Sequence, residues 1–114
     1  MTTVDQELQR KLDALKTNFI ANLAVRLKEI ESAMARLDFG TPLAAQTGSI
    51  QIVLEQSHKI AGSAGTFGFG RMSAIALETE RLCEDILKGR HGADAAAREM
   101  LNDKVAALRA EAPA

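Results

Sequence analysis

From Val4 onward an apolar residue recurs at every third or fourth position: Leu8, Leu12, Leu15, Phe19, Leu23, Leu27, Ile30, Met34 and Leu37. No glycine or proline interrupts the series before Gly40. Steps of three and four place all of these side chains on one face of an α-helix. At about 1.5 Å per residue, such a helix would run to about 50 Å. A compact domain of 114 residues is only about 35 Å across, judged from a radius of gyration near 13 Å. The chain must therefore let this helix overhang the rest of the fold or break it. Thr17-Asn18 is the best place for a break, because both side chains can cap a helix.

The remainder reads as three further helices. Phe39-Gly40-Thr41-Pro42 closes the first region, with glycine at the C-terminal side and proline just beyond. The second helix should start near Thr47 to Ser49, either of which could serve as N-cap, and run to about Phe67. It buries Ile50, Val53, Leu54, Ser57, Ile60, Ala61 and Ala64. Gly68-Phe69-Gly70 is a turn. A third helix from about Arg71 to Lys88 buries Met72, Ile75, Thr79, Leu82, Cys83 and Ile86. Gly89-Arg90-His91-Gly92 breaks the chain again. A fourth helix from about Ala93 to Ala110 buries Ala97, Met100, Leu101, Val105 and Leu108. Apolar helical stripes joined by short loops predict an all-α, antiparallel up-down four-helix bundle, a single domain over residues 1–114.

Charge and cysteine content narrow the function classes. A net charge of −1 gives no electrostatic case for nucleic acid or an anionic membrane as partner. No apolar run approaches the ~18 residues of a membrane span. The acidic, polar N-terminus does not resemble a secretory signal. The lone Cys83 cannot form an internal disulfide and suits a reducing compartment, so the expected location is the cytoplasm.

One residue stands apart on the second helix. With Leu54 at zero and about 100° per residue, the apolar face centres near 300° and His58 falls near 40°, at the edge of the core. Gln51, Glu55, Gly62 and Gly65 share that flank, and Ala61 is also small. Each glycine within a helix costs about 1 kcal/mol against alanine. Two readings compete. The glycines either let two helices approach closely, or they clear a landing area beside an imidazole whose outer nitrogen faces solvent.

The run His58-Lys59-Ile60-Ala61-Gly62-Ser63-Ala64-Gly65-Thr66-Phe67-Gly68 resembles the signature of histidine-containing phosphotransfer (HPt) domains. The correspondence is histidine, glycine four residues on, small residues around it, then a bulky apolar residue and glycine nine and ten residues on. The helical layout of the whole chain is also similar to that family. The resemblance implies that His58 is a phosphoacceptor relaying phosphoryl groups to and from receiver-domain aspartates of response regulators and hybrid histidine kinases. It assigns docking or phosphoryl-supporting roles to Lys59, Ala61, Gly62, Gly65, Glu55 and Gln51, and structural roles to Phe67 and Gly68. It further implies no cofactor bound by this chain, with Mg²⁺ held by the receiver, and a monomer. The chain departs from the pattern twice. Many members carry lysine three residues after the histidine, where Ala61 stands here. The third helix has Thr79-Glu80 in roughly the place of the family's leucine-glutamate pair.

Other chemistries fit less well. A kinase dimerisation domain usually has an acidic residue after its histidine and feeds an ATP-binding domain; here Lys59 follows and no room is left, which argues against autokinase activity. No Gly-Lys-Ser/Thr follows the glycines to make a phosphate cradle. Glu55-x-x-His58 is half of a di-iron motif without its second copy. His91 reads as a solvated loop residue and Cys83 as packed core. The remaining alternative is a helical interaction module whose histidine is structural. Exposed Leu77 would serve an interface in either case, and occlusion of the imidazole would favour the module.

Overall fold

The computed structural model describes residues 3–113. Four α-helices follow in order: α1 (Thr3–Ala35), α2 (Thr47–Ala64), α3 (Gly70–Leu87) and α4 (Ala95–Ala110). They pack around one core as an antiparallel bundle, α2 lying between α1 and α3 and α4 closing the ring against both α3 and α1. Among the described residues no helix is long and apolar enough to cross a membrane.

The length conflict in α1 is resolved by an overhang and not by a break. The helix is continuous through Thr17-Asn18. The Thr17 hydroxyl donates back to the Asp13 carbonyl at 2.9 Å, one turn earlier, instead of capping a new helix. A threonine that satisfies itself this way costs the helix little, so nothing forces a break. Phe19, Leu23, Leu27, Ile30, Ala33 and Met34 are buried, whereas Val4, Leu8, Leu12 and Leu15 project beyond the bundle and are exposed. The molecule is accordingly 62 Å long and only 22 × 21 Å in section.

The end of α2 is built from the motif's bulky positions. A 3₁₀ turn, Gly65–Phe67, extends the helix, and Gly68 follows at φ 87°. That left-handed conformation is strained for any residue with a Cβ, so glycine there ends α2 and aims the chain into α3. Phe67 stacks on Phe19 of α1 at 5.2 Å between ring centroids, and Phe69 packs on the same ring at 5.7 Å. This aromatic trio pins the α2–α3 turn to α1 at the point where the overhang begins.

Several expectations need correction. No Thr47 or Ser49 side chain caps α2. A 3₁₀ turn (Leu43–Ala45) and Gln46 lead into it instead, and the buried Gln46 carboxamide ties the preceding loop together by accepting from the Asp38 amide at 2.9 Å and donating to the Thr41 hydroxyl. On α2 Leu54 and Ala61 are only half-buried, and on α3 the buried position is Ala76, with Ile75 likewise half-buried. On α4 Met100 is exposed, because Ala97, Leu101, Val105 and Leu108 complete the inward stripe without it. The α4 N-terminus is capped by Asp94, whose carboxylate accepts from the Ala97 amide at 2.9 Å. Cys83 is fully buried, and that burial pushes its thiol up to about 12, which makes it chemically inert core.

Candidate functional site

His58 stands in the sixth position before the last residue of α2, with its side chain 70% exposed. The helix fixes its root at the core edge, between buried Ser57 and buried Ile60. Ser57 carries the one described side-chain polar atom that is buried without a partner, its hydroxyl oxygen. The imidazole itself leans towards α3. Its Nδ1 lies 2.9 Å from a carboxylate oxygen of Glu80, whose side chain is only 17% exposed. In the neutral ring, Nδ1–H donating to Glu80 leaves the Nε2 lone pair outside that bond, on a side chain that is mostly exposed.

Beside the ring lies a shallow depression of about 290 Å³, lined by His58, Ala61, Gly62, Ser73, Leu77 and Glu80. Its floor is held by a hydrogen bond across the helix pair, from the Ser73 hydroxyl to the Ala61 carbonyl at 2.7 Å. Its rim includes the exposed apolar Leu77. The depression is thus mostly apolar around one nitrogen nucleophile and one carboxylate.

The glycines decide between the two readings of this flank. A Cβ placed on Gly62 would meet no atom within 4 Å, and one on Gly65 would make only ordinary contact with Ser73, at 3.8 Å and beyond. Helix–helix approach therefore requires neither glycine. Gly62 costs the helix stability for space that the chain itself leaves open. Likewise the imidazole is not occluded, whereas occlusion would have favoured a structural histidine.

The other residues singled out in the sequence divide into two groups. Ala61 and Gly62 join His58 in the depression, and Phe67 and Gly68 form the turn described above. Gly65 sits at the start of that turn, beside Ser73. Lys59 is exposed and outside the depression, where its carbonyl accepts from the Ser63 hydroxyl at 2.9 Å. Gln51 donates to Glu55 at 3.2 Å, and Glu55 lines a different groove, between α1 and α2, together with Val25, Arg36 and Ile52. The structure does not bring Gln51, Glu55 or Lys59 to the imidazole. His91 is in the α3–α4 loop, its Nδ1 2.9 Å from the Gly92 carbonyl. Glu80 and Ser73 are the residues that sequence reasoning missed as site members. Glu80 lies 22 positions from His58, and its only signal was its place in the acidic pair position of the third helix.

Comparison with known proteins agrees with the geometry. A family model described as the Hpt domain matches residues 6–111, nearly the whole chain. Searches of curated proteins and of solved structures return no match.

Proposed function

The chain belongs to the Hpt domain family, which acts in histidine phosphotransfer within two-component phosphorelays through contact with receiver domains, and from that premise we propose that His58 is its phosphoacceptor and Nε2 the reacting atom. The observation that carries this reading is the open imidazole held through Nδ1 by Glu80. A receiver's aspartyl phosphate is brought in line with Nε2 over the Gly62 depression. The Nε2 lone pair forms the N–P bond as the P–O bond to the aspartate breaks, and the leaving electron pair stays on the receiver's carboxylate. The Nδ1 proton remains between the ring and Glu80, so the cationic phosphoimidazole is opposed by a carboxylate 2.9 Å away. The reverse step returns the phosphoryl group to another receiver.

Phosphoryl transfer asks little of its acceptor beyond positioning and charge stabilisation. In this scheme the receiver contributes its acidic pocket and Mg²⁺, while this chain contributes a nucleophile with fixed orientation and an unobstructed approach. Ala61 in place of a lysine leaves the depression without a cation of its own; Lys59 is the nearest in sequence, and its four-carbon stem gives it reach once a phosphoryl group is present. Gly62 supplies clearance and Leu77 an apolar contact at the rim.

The test is transfer from receiver domains preloaded with phosphoryl-aspartate. Wild type should acquire acid-labile label, and His58→Gln should acquire none while keeping its helicity. Label on His58→Gln would remove the proposal, and absence of label from every cognate receiver would leave an interaction module.

A further inference from the structure

The overhang of α1 carries an apolar stripe that its own bundle never covers. Val4, Leu8, Leu12 and Leu15 retain between 46% and 71% of their exposure, in a single line on one helix face. That line is the continuation of the face which, from Phe19 on, packs into the core. Scattered single apolar side chains on a surface need no explanation, but four in register on a projecting helix form an unpartnered seam.

We propose that this seam is covered by the same segment of a second copy of the chain, running antiparallel. Two features choose that occupant. The first is charge. Asp5 and Glu7 give residues 3–9 a net −2, while Arg10, Lys11 and Lys16 against Asp13 give residues 10–16 a net +2. Antiparallel pairing sets each acidic half against a basic half, twice over. Parallel pairing would oppose like charges. The second is continuity. α2 already runs antiparallel along α1 and stops at the Phe67–Phe69 turn, where the overhang begins. A second copy's α1 takes the same direction on the same face just past that point. In this register Leu8 meets Leu12 of the second copy. Its Val4 then lies alongside Leu15 and Lys16, next to Phe69, over whose ring Lys16 already sits at 5.5 Å.

The overlap is about 20 Å of helix, well short of a standard interface of about 1,600 Å². The dimer is therefore weak, with a dissociation constant on the order of 100 µM. The two bundles lie at opposite ends of the paired overhangs, which leaves both His58 faces accessible to receivers.

Sedimentation equilibrium of the full chain from about 10 µM to 1 mM tests this. Wild type should move from 12.2 kDa towards twice that mass as concentration rises. Leu8→Asp/Leu12→Asp should stay at the monomer mass, with unchanged melting temperature and unchanged phosphoryl acceptance at His58. Asp5→Lys/Glu7→Lys alone and Arg10→Glu/Lys11→Glu alone should each be monomeric, and their equimolar mixture should dimerise. The proposal is overturned by a wild type that remains monomeric at 1 mM. It is equally overturned by a dimer that the Leu8→Asp/Leu12→Asp change leaves intact, or by a charge-variant mixture that stays monomeric. Phosphoryl acceptance is read separately, so either result stands whatever the fate of His58.

Discussion

Across the α2–α3 interface, Nδ1 of His58 lies 2.9 Å from the Glu80 carboxylate, an exposed ring bound to a nearly buried acid. The pairing fixes the ring's rotation, its tautomer and the charge that faces it once it is phosphorylated. Glu80→Ala should release all three. A charge-assisted hydrogen bond contributes about 1.5–3 kcal/mol when buried, and the exposure of the histidine places this one at the low end, so phosphoryl acceptance should slow by about tenfold. Glu80→Gln should lose less, because its amide oxygen still accepts from Nδ1–H. Imidazole ¹⁵N spectra should show the Nδ1–H form in wild type and a mixture in Glu80→Ala. Unchanged rate and unchanged tautomer would mean that the pair is incidental.

Gly62 offers a separation of stability from function. No atom stands within 4 Å of the position its Cβ would take. Gly62→Ala should therefore stabilise the chain by about 1 kcal/mol, the helix-propensity difference, and raise the melting temperature by several degrees. The same methyl narrows the approach to Nε2. Gly62→Leu should reduce kcat/KM with a receiver by at least tenfold while the helix stays formed. Calorimetry and transfer kinetics on the two variants check both halves, and a destabilised Gly62→Ala would show that the glycine serves the fold.

The α1–α4 contact has a predictable pH dependence. Glu31 accepts from the Arg109 guanidinium, with Nε to Oε2 at 3.1 Å, and that hydrogen bond holds its carboxyl below the usual 4.5, aided by the charge of Arg109 and opposed by partial burial. A depressed folded-state value means that the contribution is fully present above pH 4.5 and is lost as pH falls through the folded value. Both side chains are more than two-fifths exposed, so the pair contributes no more than about 0.5 kcal/mol. Denaturant unfolding of Arg109→Ala against wild type should differ by that amount at pH 7, and the difference should vanish in acid. A difference that grows below pH 4 would contradict the assignment.

Much of the architecture was readable because it rests on periodicity. Runs at three- and four-residue spacing specified four helices, and Gly68 and Gly89, both at positive φ, marked the ends of α2 and α3, whereas α1 stops at Ala35, short of the expected end at Phe39-Gly40. The break expected at Thr17-Asn18 did not occur, because capping ability alone does not end a helix whose threonine can bond to its own preceding turn. The proposed phosphoacceptor could be singled out for the same local reason: His58, Gly62 and Gly65 share one flank of one helix. Glu80 and Ser73 were not, since they meet His58 and Ala61 only after α3 is rotated and set against α2, which no local pattern encodes. Glu55 illustrates the converse, sharing the histidine's flank on the helical wheel yet lining the α1–α2 groove in the packed bundle, with Gln51 hydrogen-bonded to it.

The phosphorylated atom is the most direct test. Chain labelled from a phosphorylated receiver should be examined by ³¹P and ¹⁵N NMR, with His58→Gln and His91→Gln as controls. Phosphate is expected on Nε2 of His58, unaffected by His91→Gln, with Nδ1 still protonated against Glu80. Phosphate on Nδ1, which Glu80 occupies here, or on His91 would contradict this assignment.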